Sequence, residues 1–249
     1  MGEYELRESL REELPRIDVL ESKDGVLVAK FGPGYYKNNV FEMKRFYFNS
    51  QKHSKLTFRP TTTAFSLDVL ASRVPDFKRQ ILNLGWLQAG WIFKSSEGVY
   101  ANPPLDKNGE PITDEKILKN YLNDAIITNG IYLFQNGKVE SLRDFGFAPY
   151  DSFRTGEQDM GQFLYDGLAR LLEHTGEKKA VNLGFIVKNY LPGVNVCGFE
   201  SAEKGEVLPQ VLSLNSGGGT LMGRLYVSGD GWNKDIPGCA FGEAVKVVA

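Results

Sequence analysis

The chain is poor in the residues that most often build covalent or metal chemistry. Its 249 residues include 2 cysteines, 2 histidines and 4 methionines. Cys197 and Cys239 alone cannot make a disulfide framework, and reduced thiols are the expectation for both. A Cys/His zinc centre would have to recruit both cysteines together with His53 and His174. Their separations match no finger or ribbon, so no metal is assigned. Long apolar runs are missing too. The most apolar stretch, residues 81–93, is interrupted by Asn83, Gly85, Gln88 and Gly90, short of the roughly 18–20 residues a membrane helix needs. No membrane partner is expected. The opening MGEYELRESLREEL is acidic and amphipathic, unlike a secretory leader with its basic start and apolar centre. Leu6 stands where a myristoylation signal carries Ser or Thr. A cytoplasmic location is therefore expected. There is no fixed-period repeat, no low-complexity tract and no strong charge bias: Lys+Arg 29 against Asp+Glu 31 gives a net charge of −2.

What is present is the composition of a soluble globular protein, 42% hydrophobic and 24% charged, in a chain long enough for a sizeable core. The loop-like segment 102–113 (NPPLDKNGEPIT) is the weakest point in the pattern but does not read as a linker. Residues 1–249 are taken as a single domain.

Periodicity divides the chain into blocks. Residues 3–14 carry Leu6, Leu10 and Leu14 at helical spacing, ended by Pro15. Residues 17–21 and 26–31 read as strands joined at Asp24-Gly25, a tight-turn pair. Residues 40–48 and 54–59 read as further strands, the second alternating cleanly with Leu56 and Phe58 on one face. Helices are expected over 64–73, capped from Thr61 to Thr63, after Pro75, over 114–125, and over 158–175, where Met160, Phe163, Leu164, Leu168, Leu171 and Leu172 recur at i, i+3, i+4. A hairpin is expected around Asn136-Gly137. Beyond Gly176 the pattern turns to strands at 180–187, 194–199, 207–212, 221–227 and 241–248, with Pro209 confining the third to a sheet edge. Blocks of helix and strand without strict alternation favour α+β: one domain, a largely antiparallel sheet, several helices and a β-rich C-terminal third.

The most specific chemical signal lies at residues 30–59. Lys30, Lys37, Lys44, Arg45, Lys52, Lys55 and Arg59 face one acid, Glu42, so seven cations less one anion give +6 in a chain of net −2. Phe31, Tyr35, Tyr36, Phe41, Phe46, Tyr47, Phe48 and Phe58 are interleaved. Cations that neutralise phosphates beside rings that stack on bases are what single-stranded nucleic acid requires, although the segment does not match the aromatic pattern of RNA-binding sheets. The competing reading is an edge hairpin with buried aromatics and lysines that discourage aggregation.

The second signal is Asn215 to Thr220. The glycines Gly217, Gly218 and Gly219 free backbone N–H groups to cradle an anion, and the hydroxyls of Ser216 and Thr220 could add bonds. Gly218 to Gly223 has phosphate-loop spacing, but Arg224 and Leu225 replace the required Lys and Ser/Thr, and a strand follows instead of a helix. Oxygen-rich turns at 106–110 and 229–235 miss the register of a calcium loop. Ser201-x-x-Lys204 lacks its companion motifs. The acidic, aromatic segment 144–159, with Asp144, Asp151, Glu157 and Asp159, could divide acid and base roles between carboxylates.

The residues favour binding of single-stranded nucleic acid or RNA through segment 30–59, by Lys44, Arg45, Tyr47, Lys52, Lys55 and Arg59. Two alternatives stand beside it. One is an enzyme acting on a phosphorylated or sugar-like small molecule, through the 215–224 loop (Ser216, Gly217, Gly218, Gly219, Thr220) or the 144–159 loop. The other is a structural or assembly protein that binds other protein chains. The implied partners are single-stranded nucleic acid or another protein. No cofactor and no catalytic residue is assigned, and oligomeric state and enzymatic character stay open.

Overall fold

The computed structural model describes residues 17–21, 27–48, 55–73, 86–134, 142–187, 193–216, 224–230 and 238–246. The readings made for residues 3–14, the segment after Pro75, the turns at Asp24-Gly25 and Asn136-Gly137, Lys52 and Gly217 to Thr220 lie outside these residues.

Alternation builds the N-terminal strands. β1 (Ile17–Glu21) pairs antiparallel with β2 (Leu27–Gly34), and β3 (Leu56–Pro60) buries Leu56 and Phe58, the face its alternation predicts. Residues 40–48 are not a strand. Helix α1 (Tyr36–Arg45) takes residues 40–45, burying Tyr36, Asn39 and Met43 and placing Lys44 and Arg45 in its last turn, where cations suit the helix dipole, and only Phe48 keeps a β-bridge, to Leu56. The helical spacing is masked in the sequence because a polar residue holds a core position. Asn39 Nδ2 donates to Gln88 Oε1 at 2.8 Å and to the Gly238 carbonyl at 3.0 Å.

Helix α2 (Thr63–Asp68) begins at the expected cap, with Thr62 Oγ1 accepting from Phe65 N–H, and runs into a π-helical turn over Val69–Arg73. β4 (Trp86–Lys94) and β5 (Gly98–Ala101) follow. After the 102–111 loop comes α3 (Glu115–Leu122), capped by Asp114, and then β6 (Ile126–Thr128), β7 (Ile131–Leu133) and β8 (Gly146–Pro149).

The long helix expected over 158–175 is divided. Residues Gly156–Asp159 form β9, paired with β10, and two short helices follow, α4 (Met160–Phe163) and α5 (Gly167–Leu172). Asp159 and Asp166 each accept a backbone N–H as an N-cap, so the chain starts a helix twice. All six apolar residues of the predicted stripe are nevertheless buried. Residues 180–187, expected as a strand, form α6 (Val181–Val187), with Leu183, Ile186 and Val187 inward. Its first amides are capped from a distance by the Glu173 carboxylate, 2.8 Å from Val181 N and 2.5 Å from Leu183 N. A cap supplied by another helix leaves no local signature.

β10 (Gly193–Cys197), β11 (Leu208–Asn215), β12 (Arg224–Ser228) and β13 (Gly238–Lys246) complete one mixed sheet of 13 strands. Pro209 does not place β11 at an edge. β11 lies between β4 and β12, but β12 reaches only residues 213–215, so Pro209 sits where β4 is the one neighbouring strand described. β10 with β12, and β13 with β4, are parallel pairs.

The sheet forks at β13. One edge of this strand pairs with β2. The other takes β4 at residues 238–240 and β3 at residues 242–246. Thr61 straddles the exchange: its backbone N–H and its hydroxyl both donate to the Phe241 carbonyl, at 3.2 Å each. The larger core packs α2, α4, α5 and α6 on the sheet. A second cluster around Phe31, Met43 and Phe58 fills the space beneath α1, and a third, around Phe93, Tyr100 and Phe145, lies with Leu118 of α3. No helix among the described residues is long and apolar enough to cross a membrane.

Candidate functional site

The expected nucleic-acid surface does not form. Arg45 and Tyr47 cannot share a strand face, because Arg45 ends a helix. That helix lies against β3: Met43 joins Leu56 and Phe58 in the second core cluster, and the Thr57 hydroxyl donates to the carbonyls of Met43 and Lys44, at 3.3 Å each. Phe31, Phe46 and Phe58 pack on one another with centroids 5.8–6.1 Å apart, and Tyr36 is buried against Trp91. Phe41 and Tyr47 are exposed, but each already carries a cation of its own chain: Arg45 over Phe41 at 5.1 Å and Lys55 over Tyr47 at 4.5 Å. Arg59 is bound to Glu243 at 3.3 Å. The strip of free cations and stacking rings is thus absent among the described residues, and the nucleic-acid reading is withdrawn.

Of the two loop alternatives, the glycine-rich one lies mostly outside the described residues, and the 144–159 segment borders a second space of about 600 Å³ lined by Asp151, Asp159 and Asp166. Of the glycine-rich segment, Ser216 is described and buried. In segment 144–159, Glu157 is ion-paired with Arg224, Asp159 caps α4, and Asp144 accepts from Thr62 Oγ1. These carboxylates serve three different structural partners.

The structure instead opens a cleft at the fork of the sheet. Where β13 exchanges β4 for β3, a space of about 600 Å³ is left, walled by α1, the ends of β3 and β4, the 102–111 loop and Arg143. One wall is apolar: Trp91, Val40, Pro60 and Pro103, with Leu105 and Pro111 at the rim. Trp91 is fixed by an edge-to-face contact with Tyr36, centroids 5.3 Å apart.

The same lining carries a charged network. Arg143 Nη1 donates to both Glu243 oxygens at 3.0 Å. Arg59 Nε and Nη2 donate to the same carboxylate at 3.4 and 3.3 Å. Arg143 also lies 5.2 Å over the Phe65 ring and has Nε 3.7 Å from Asp144. Both arginine side chains remain about two-fifths exposed, at 40% and 37%, while Glu243 is at 20%. The rim loop is rigidified by Asp106, whose carboxylate accepts from the N–H groups of Asn108 and Glu110 at 2.8 and 2.9 Å. The Glu110 N–H, foremost among these donors, holds the Asp106 carboxyl below its ordinary range.

Of the residues singled out in the sequence for nucleic-acid binding, Lys44 and Arg59 line this cleft, while Arg45, Tyr47 and Lys55 do not, and the oxygen-rich turn at 106–110 lines it as well. Trp91, Arg143 and Glu243 carried no sequence signal. They lie in three separate segments, and only the β13 register brings them together.

No family model and no curated protein matches the chain. Among solved structures it is similar to one described in the words "Accommodation of massive sequence variation in Nanoarchaeota by the C-type lectin fold". The likeness has a TM-score of 0.48 at 11% identity, covers 93% of this chain and 98% of that one, and carries no functional inference.

Proposed function

We propose that this protein is a ligand-recognition protein whose residues 1–249 act as one α+β domain and whose cleft at the sheet fork takes a small organic molecule. The observation that carries this reading is the pairing of apolar residues around the fixed Trp91 with convergent guanidiniums in the lining of one space of about 600 Å³. Pockets for small molecules combine mostly apolar walls with a few placed polar groups in this way, in the range of roughly 300–1,000 Å³.

The hydroxyls in the cleft are engaged by the surrounding fold. Thr61 Oγ1 lies 2.5 Å from Ser66 Oγ and donates to the Phe241 carbonyl. Thr62 Oγ1 accepts the Phe65 N–H as a helix cap while donating to Asp144. Both hydroxyls are therefore committed within the fold, Thr61 to a backbone carbonyl and Thr62 to its helix cap and to Asp144.

A fragment library screened by ligand-observed NMR and thermal shift tests the proposal. Hits should stabilise the wild type, by about 2.7 kcal/mol at 100 times the dissociation constant. They should lose binding in Trp91→Ala and in Leu105→Arg, a rim change at an exposed residue that leaves the core untouched. A screen in which every hit survives both substitutions would remove the cleft as the site.

A further inference from the structure

Building on that reading, we infer that the ligand carries an oxyanion, a carboxylate or a phosphate, received by Arg59 and Arg143 at the place where Glu243 now supplies the counter-charge. Three observations lead there. First, the charge of the lining is unequal. Lys44, Arg59, Lys107 and Arg143 face Asp106, Glu110 and Glu243, and one of those three carboxylates, Asp106, is folded onto the amides of its own turn. Lys44 and Lys107 have no ion pair among the described residues.

Second, the Arg143 guanidinium is held and only partly spent. A guanidinium presents five N–H donors in a fixed fork, and Arg143 gives only Nη1 to Glu243. Its position is fixed by the Phe65 ring on one side and Asp144 on the other. Third, Glu243 belongs to the central strand of the fork and takes both arginines on one carboxylate. Two guanidiniums converging on one carboxylate form a preformed oxyanion seat. An incoming acid competes with Glu243 for these donors. Its organic body then lies against Trp91 and the prolines of the same lining.

The test uses the full chain at low salt and three probes: indole-3-acetate, phenyl phosphate and indole-3-acetamide. Binding is measured by titration calorimetry. At least one acid should bind, with the neutral amide weaker by roughly tenfold or more, the worth of a charge-assisted hydrogen bond. The acid that binds more tightly identifies the oxyanion. Arg143→Gln should abolish the preference for acid over amide. Arg143→Lys, which keeps the charge but not the fork, should restore it in part. Glu243→Gln should tighten the acid and leave the amide unchanged, the reverse of what loss of a merely structural residue would do.

Equal binding of amide and acid, with both lost in Trp91→Ala, would overturn the oxyanion assignment and leave the ligand-binding reading intact. Failure of both acids to bind at millimolar concentration would also overturn it, while the fragment screen separately decides whether the cleft binds at all. Weakened acid binding in Glu243→Gln would show that Glu243 does not compete for the seat.

Discussion

Asn102 and Thr63 are joined twice: Asn102 Oδ1 accepts the Thr63 N–H at 2.6 Å, and its Nδ2 donates to Thr63 Oγ1 at 2.9 Å. The same Nδ2 donates to the Asp144 carbonyl at 2.8 Å. One buried amide thus ties together the start of α2, the rim loop and the segment that carries Arg143. Asn102 adopts φ 52°, a left-handed conformation that asparagine tolerates better than most residues.

Asn102→Ala should therefore cost about 2–4 kcal/mol, since it orphans buried donors and acceptors and adds backbone strain. Asn102→Gly, which removes the strain but not the lost bonds, should recover part of that cost. Urea denaturation of both variants at unchanged slope measures the division. Equal midpoints for wild type and Asn102→Ala would show that the three segments are held by other contacts.

Leu168 lies at the start of α5, fully buried in the main core. Truncation to alanine there should cost about 2–5 kcal/mol. The check is the same titration, and a shift of less than 1 kcal/mol would mean that the surroundings collapse into the space.

Asp166 caps α5 through Ala169 N–H at 3.0 Å, and burial pushes its carboxyl from 3.8 up to about 7. Between these values the unfolded chain has lost the proton and the native state retains it. The unfolded state then binds fewer protons, so stability falls as pH rises through that window and is free of this cost below it. Asp166→Asn keeps a capping oxygen and removes the titration. It should flatten the slope between pH 4 and 7 and gain on the order of 2–4 kcal/mol at pH 8 relative to wild type. Parallel slopes for the two proteins across that range would contradict the assignment.

Cys197 and Cys239 are free thiols, both pushed upward chiefly by burial. Disulfide-exchange reagents attack through the thiolate. Both thiols should react slowly with a chromogenic disulfide at pH 7.5 in the native protein and promptly in 6 M guanidinium. Fast stoichiometric labelling of the native chain would show that one of them is more open than the structure describes.

Legibility followed locality. β3 and α3 were readable because their periodicity and caps are contained within a few residues: Leu56 and Phe58 alternate, and Asp114 stands at the first turn it caps. α1 was misread as a strand because Asn39 fills a core position through bonds to Gln88 and Gly238, residues its own segment does not contain. α6 was misread because its cap is the side chain of Glu173. The cleft was the least visible feature. Arg59 stood out for its charge, but its partner is 184 positions away, and Arg143 lies 100 positions from the same carboxylate. No spacing rule links residues whose neighbourhood is created by the register of a strand near the end of the sequence.

That register also sets an order in time. Val28 is paired with Glu243 and Phe58 with Ala244, so β2 and β3 emerge during synthesis about two hundred residues before the strand that joins them. At roughly 5–20 residues per second, the nascent chain carries them for on the order of ten to forty seconds without that partner. During this interval the hydrogen-bonding edges that β2 and β3 later give to β13 are open to any other chain. Arg59 likewise waits for Glu243. A ribosome-bound chain stalled before residue 238 should therefore need chaperone protection, and the cleft can take its ligand only after β13 has closed the fork.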